Sequence, residues 1–361
     1  MSYTNGLDKP TDYFSTNLWV ADDSSPRSFT GFGHQPDFVW VKHRGSASIN
    51  HTLVDSLRGG DKMLFSNTTA SEDTKSHGEI TSFNSDGITV ADGTNGTYPR
   101  LYFNDLDPFG AGGGNYVGWS WKAGGTASSN TDGNTATNIS VNQTSGFSIV
   151  SYTVSSETTM SLGHGLNAIP KMIITKSRST VSNWDTYHVS LGNTGRILLD
   201  GTGAVSTSAN VWGSTTPTSS LFYQGGNGTW YNLGSTAIAY CFAEKKGYSK
   251  FSSYVGNGNS DGTFVYTGFK PAWIMQKRTD VANGWHIFDT KRDTFNACER
   301  YMTANASSSE PSGTDYVDIL SNGFKMRRNG NDINGSGASY IYMAFASSPF
   351  VTSTSIPTTA R

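Results

Sequence analysis

Charge is the scarcest ingredient of this 361-residue chain. Asp, Glu, Lys and Arg together make up 15% of it, against about 25% in an ordinary globular domain. With a net charge of −2 and no cluster of Lys and Arg, it lacks the basic stripe needed to neutralise a phosphate backbone, which excludes a nucleic-acid partner. Cysteine is nearly absent too: Cys241 and Cys298 stand alone in different parts of the chain. They are read as core thiols, and a disulfide framework is excluded by count. No apolar run approaches the ~18–20 residues of a membrane helix, so no membrane insertion is expected. The opening MSYTNGLDKPTDYF has no charged-then-apolar leader pattern. The expectation is synthesis in a cytoplasm, with release by lysis or as part of a particle. Metal-ligand spacings such as HxxxH or CxxC are missing, and no G-x-G piece opens a helix, so no cofactor is expected.

What is abundant points one way. Glycine occurs 41 times and aromatic residues make up 12%. Short β-branched and aromatic runs alternate with Gly, Ser, Thr and Asn, which is the pattern of an all-β protein with many turns. Asp86-Gly87 and Asn322-Gly323 are among several pairs that mark hairpins.

One phrase is written three times: GFGHQPDFVWVKHR (31–44), GLNAIPKMIITKSR (165–178) and GFKPAWIMQKR (268–278). Pro36, Pro170 and Pro271 each stand six residues before Lys42, Lys176 and Lys277. A closing phrase recurs as NYVGWSW (115–121), TAIAYCF (236–242) and SYIYMAF (339–345). An opening phenylalanine, Phe14 or Phe251, lies 17 residues before Gly31 or Gly268; Phe147 lies 16 or 18 residues before Gly163 or Gly165. Repeats of about 100 residues are small domains, too long for solenoid units. The organisation expected is an N-terminal arm (1–12), β-module 1 (13–122), a Gly/Ser/Thr/Asn linker (123–146), β-module 2 (147–247), β-module 3 (248–350) and a C-terminal arm (351–361). The linker composition predicts an extended or flexible connection. Residues after each proline are apolar on both faces, as in a central strand covered on two sides. The fold class expected is all-β: three repeated β-sandwich modules, lectin-like or jelly-roll-like, with little or no helix.

Candidate binding residues follow from the same pattern. Lys42, Lys176 and Lys277 read first as strand-end lysines whose stems cover a sheet rim. Trp184 and Trp285 share a repeat position, held by Asn50 in module 1, and read as core anchors. Asp55, His188 and Asp289 roughly align. One acid per module is not the facing pair that glycoside hydrolysis needs, and no catalytic residue is assigned. The loop GNGNSDG (256–262) reads as a turn rather than a calcium site. Module 2 carries an irregular insert, 201–234, where no repeat landmark requires an aromatic residue. Trp212, Trp230, Tyr223 and Tyr231 are therefore the glycan-binding candidates.

Several long phrases together resemble a family of virion structural proteins from marine and freshwater bacteriophages. They include MSYTNGLDKPTDYF, GFGHQPDFVWVKHR, YVGWSWKAGG (116–125), AYCFAEKKGYSKF (239–251), GNGNSDGTFVYTGFKPAWIMQKR (256–278), LSNGFKM (320–326) and SYIYMAFASSPF (339–350). The resemblance covers nearly the whole chain and carries no catalytic residues. It implies a lectin-like β-sandwich and a non-enzymatic virion surface protein. The expected role is a tail fibre or receptor-binding subunit; the alternative is a capsid decoration or head-fibre protein, and a polysaccharide depolymerase is a distant third. The partners implied are other virion proteins of tail or capsid, a host surface glycan, and further copies in a homo-oligomer.

Overall fold

The computed structural model describes residues 6–110, 113–228 and 230–358. Residues 1–5 of the expected N-terminal arm and 359–361 of the C-terminal arm lie outside them. The chain is all-β, with three-residue 3-10 turns as its helical elements among the described residues. Each repeat folds into two facing antiparallel sheets. The large sheet of module 1 has the order Phe14–Val20, Asn115–Trp121, Phe38–His43, Thr52–Asp55, Lys62–Phe65, Asp73–Thr74, with Arg27–Thr30, Gly87–Ala91 and Glu79–Asn84 opposite. Module 3 repeats it: Ser249–Val255, Ser339–Pro349, Phe269–Arg278, Trp285–Asp289, Met302–Thr303, faced by Phe264–Tyr266, Gly323–Met326 and Val317–Leu320. In both, as in module 2, the closing strand lies between the opening strand and the post-proline strand. This is why all three phrases recur together.

The landmark residues have local reasons. Gly31, Gly165 and Gly268 all take positive φ (85°, 69° and 83°), a conformation glycine adopts without penalty. This fixes Gly165, not Gly163, as the third member of the set, since Gly163 ends a strand. The register shifts at Pro170 and Pro271, where a residue without an N–H is accommodated by a bulge. Asp86-Gly87 and Asn322-Gly323 sit at two-residue hairpin turns, with Asn84 paired to Gly87 and Leu320 to Gly323.

The segment 123–146 departs from expectation. It contains two strands: Ser128–Asn130 pairs with Thr137–Asn142, which pairs with Phe147–Thr153. It extends the large sheet of module 2, continuing through Thr236–Ala243, Pro170–Ser177, Asp185–His188, Gly195–Leu198 and Ser206–Thr207. Composition misled because most of the residues that reach the interior are small or polar, Ala123, Thr135, Thr137, Ser140 and Ser145 beside Ile139.

Two-sided apolarity after each proline has a larger cause than a sandwich. Val39 and Val41 face the interior of module 1, Ile173 that of module 2 and Ile274 that of module 3. The alternate residues (Phe38 and Trp40, Met172 and Ile174, Trp273 and Met275) meet in one shared hub. Trp119, Trp121, Tyr240, Phe242, Met343 and Phe345 from the closing strands complete it. Trp121 lies edge-on to Trp273 at 5.6 Å, and Phe38 stacks on Tyr240 at 4.2 Å. The three large sheets therefore surround a common aromatic core, and each module's second face is covered by the other two.

Candidate functional site

The residues that looked most like chemistry are joints between modules. In sheet register Asp55, His188 and Asp289 are equivalent, facing Phe38, Met172 and Trp273 respectively. The Tyr240 hydroxyl of module 2 donates to Asp55 (2.8 Å). His188 Nε2 of module 2 donates to the Tyr342 carbonyl of module 3 (3.2 Å), and Trp119 Nε1 of module 1 donates to Asp289 (3.0 Å). Each module thus grips the closing strand of the next, and the third grips the first. This head-to-tail contact closes into a ring. A second cycle runs the other way round. Trp184 Nε1 donates to the Phe65 carbonyl, Trp285 Nε1 to the Leu198 carbonyl, and the Ser66 hydroxyl to the Ala304 carbonyl.

Trp184 and Trp285 are buried as expected. Their counterpart in module 1 is His51 rather than Asn50. One extra residue there shifts the count, since Asp55 follows its proline by 19 positions where His188 and Asp289 follow theirs by 18. His51 is buried and accepts from Trp40 Nε1 (2.9 Å).

Two of the joints are reinforced by buried charge. Arg58 Nε meets Asp55 at 2.5 Å, and its Nη1 reaches Glu72 (3.1 Å), which also pairs with Arg178 of module 2 (2.9 Å). Arg292 repeats this with Asp289 (2.5 Å) and Glu310 (3.0 Å), which pairs with Arg44 of module 1 (2.6 Å). The Arg58 and Arg292 side chains have no exposed surface. Module 2 has His188 in place of the acid, and Arg278 pairs with Asp280 in its own loop.

The aligned lysines are not rim residues. Lys42, Lys176 and Lys277 are buried. Lys176 Nζ donates to the carbonyls of Ser182 (2.7 Å) and, across the joint, Thr69 of module 1 (3.0 Å). Lys277 Nζ donates to Arg278 (2.8 Å) and to Thr202 of module 2 (3.1 Å). Lys42 Nζ stays at home, on the carbonyls of His43 (2.7 Å) and Ser46 (3.2 Å). Burial pulls the ammonium of Lys42 down to about 7, and those of Lys176 and Lys277 to about 8.

The glycan-binding candidates of module 2 do not form a platform. Trp212 is buried, with its Nε1 on the Gly195 carbonyl (2.9 Å) and its ring edge-on to Tyr187. Tyr231 is buried with its hydroxyl against Thr175 (3.0 Å). Trp230 is half-buried under the Arg196 guanidinium, 4.6 Å from its ring centre, and Tyr223 is half-buried on strand Leu221–Gly225. The reason is architectural. Among the described residues, the small sheet of module 2 has two strands, Thr159–Gly163 and Leu221–Gly225, where its siblings have three. The insert supplies Val211, Trp212 and Tyr231 to cover the large sheet instead. Exposed aromatics occur elsewhere: Phe264 and Tyr266 alternate on the outer face of one strand of module 3.

One concavity follows from the ring's construction. The chain itself crosses two of the three seams, through 122–127 between modules 1 and 2 and through 244–248 between modules 2 and 3. Hollows beside these crossings measure about 340 and 320 Å³. The seam between modules 3 and 1 has no covalent crossing. Residues from the first and last described segments meet near it, where Ser353 N donates to Asp8 (2.7 Å), and a cleft of about 650 Å³ remains. Phe14 and Phe32 lie at its base, and Thr16, Asn17, Thr290 and Thr294 line it with Lys270 and Lys291. Asp86 lies at the rim, its carboxylate occupied by the N–H groups of Gly31 (3.1 Å) and Gly33 (2.6 Å).

Among the described residues no group of three His, Cys, Asp or Glu side chains could hold a metal ion. Asn257 and Asp261 of the 256–262 loop are used in the turn, through Asn257 Nδ2 to the Asp261 carbonyl (3.1 Å) and an Asp261–Lys325 ion pair. Cys241 and Cys298 are buried thiols.

Fold and site together define a ring of three all-β modules closed within one chain. The family described as Domain of unknown function (DUF7483) matches residues 9–349, and the chain belongs to it. That one family spans all three repeats agrees with a unit that is the ring rather than the module. No curated protein and no solved structure matches the chain.

Proposed function

We propose that this chain is a non-enzymatic structural protein of the bacteriophage virion surface, acting as a tail fibre or receptor-binding subunit. The observation that supports this is the use made of the repeated polar residues. Lys176, Lys277, the aligned acids and the histidine hold module to module, so the recurrent chemistry serves rigidity and the loops outside the joints are left to meet partners. The resemblance of its long phrases to those of virion structural proteins supports the same reading. Other virion proteins, further copies of the chain and a host surface glycan are the partners in this reading. Capsid decoration is the second reading, and the ring favours it specifically: three like modules around a hub give one chain the footprint of a trimer, suited to a threefold position on a shell.

Cryo-electron microscopy of the virion that carries the chain tests both. Density for the ring in a fibre at the tail is the expected result. Density on the head lattice selects the second reading, and absence of the chain from purified particles overturns both.

A further inference from the structure

We propose that the uncrossed seam between modules 3 and 1 is a binding site for a carboxylated saccharide, with Lys270 and Lys291 receiving the carboxylate. Its volume, about 650 Å³, lies within the roughly 300–1,000 Å³ usual for small-ligand sites. Lys270 and Lys291 are exposed and, among the described residues, neither is within ion-pair distance of an acid. This sets them apart from the repeat lysines, whose ammonium groups are consumed by carbonyls. Two unpaired cations in a concave wall favour an anion.

The rest of the wall selects the kind of anion. Thr16, Asn17, Thr290 and Thr294 offer hydroxyl and amide groups, which suit a polyhydroxylated ring better than a bare phosphate held by an arginine fork or backbone nest. Thr16 supplies an independent indication. It is 6% exposed and lines the cleft, yet its hydroxyl has no hydrogen-bond partner among the described residues. A buried polar group without a partner is costly, and a ligand hydroxyl entering the cleft would satisfy it. The site was not legible from the repeats, because its walls come from segments as far apart as 14–17, 270–272 and 290–294, brought together only by ring closure.

The site deepens the receptor-binding reading and rests on it for its biological setting. Titration of the purified chain tests the cleft alone, whereas particle microscopy tests the location. The experiment is isothermal titration calorimetry with trigalacturonate, with maltotriose as neutral control and inorganic phosphate as a second anion. Saturable binding of trigalacturonate, at least tenfold weaker for both controls and weakened by salt, is expected. Lys270→Ala/Lys291→Ala should weaken it tenfold or more. Thr16→Val removes only the unpaired hydroxyl, so it should weaken binding several-fold at an unchanged melting temperature. No saturation, equal binding of phosphate, or a double lysine variant that binds like wild type would overturn the proposal.

Discussion

A charged residue in a repeat invites a functional explanation, and here burial supplies a structural one. Asp289 sits with no exposed side chain against Arg292, and Trp119 of another module donates to it. Replacing Arg292 by Met leaves that carboxylate buried without its counter-ion. A loss of about 3–5 kcal/mol is expected, read as a lower urea midpoint, while Lys62→Met, at a half-buried ion pair with Asp61, should change it far less. The histidines make a separate prediction. Burial pulls His34, His43, His164, His188 and His286 down to about 4, and holds His51 well below the usual imidazole value. Nδ1 of His43 accepts the N–H groups of Gly45 and Ser46, and Nδ1 of His188 accepts that of Ser190, so both must stay neutral in the fold. Their folded values lie below the unfolded value near 6.5. The unfolded chain therefore binds more protons below pH 6.5, and stability falls as pH drops from there toward 4. Asp37, Asp185 and Asp200, raised by desolvation, act in the opposite sense and only nearer the carboxylate range. Urea midpoints should consequently decline from pH 7 to pH 5; a flat profile would contradict neutral buried histidines.

At the scale of elements, the proline-led strand was legible because its periodicity is strict, and its two apolar faces correctly indicated cover on both sides. What covers the second face was not legible. A sandwich explains Val39 and Val41, but Phe38 packs on Phe147 and Tyr240, more than a hundred positions away, and Trp40 joins the same hub. The buried lysines were misread for a related reason: a Lys at the end of an apolar strand marks a rim unless another module lies over it. Segment 123–146 shows the opposite error, in which polar composition concealed two strands, Ser128–Asn130 at the sheet edge and Thr137–Asn142 inside it. It should resist proteolysis, since Ile139 and Thr137 are buried and its backbone is paired to Phe147–Thr153. Limited digestion with proteinase K, followed by intact-mass analysis, should therefore not release 147–350 as an early fragment; its prompt appearance would restore the linker. In the 201–234 insert, Trp212 and Tyr231 looked free because no repeat demanded them. They are buried because module 2 has less small sheet to cover its core.

For the whole molecule, the ring makes the modules interdependent. Cut out alone, module 1 would expose Phe38, Trp40, Trp119 and Trp121 on one face, an apolar patch of the kind that drives association. The separate module 13–122 should be insoluble or molten, while 6–358 remains a single unit. Neither the cyclic order of the contacts nor the uncrossed seam could be read from repeats, which specify the unit and leave its arrangement to tertiary packing. The most direct test is differential scanning calorimetry of the wild type beside Trp273→Ala. Trp273 belongs to module 3 by sequence and to the shared hub by packing. A single cooperative transition for both proteins is expected, shifted as a whole in the variant by a loss of about 3–5 kcal/mol. A profile that splits, with one module's share of the enthalpy moving to lower temperature while the rest melts as in the wild type, would show three independent domains and contradict the ring.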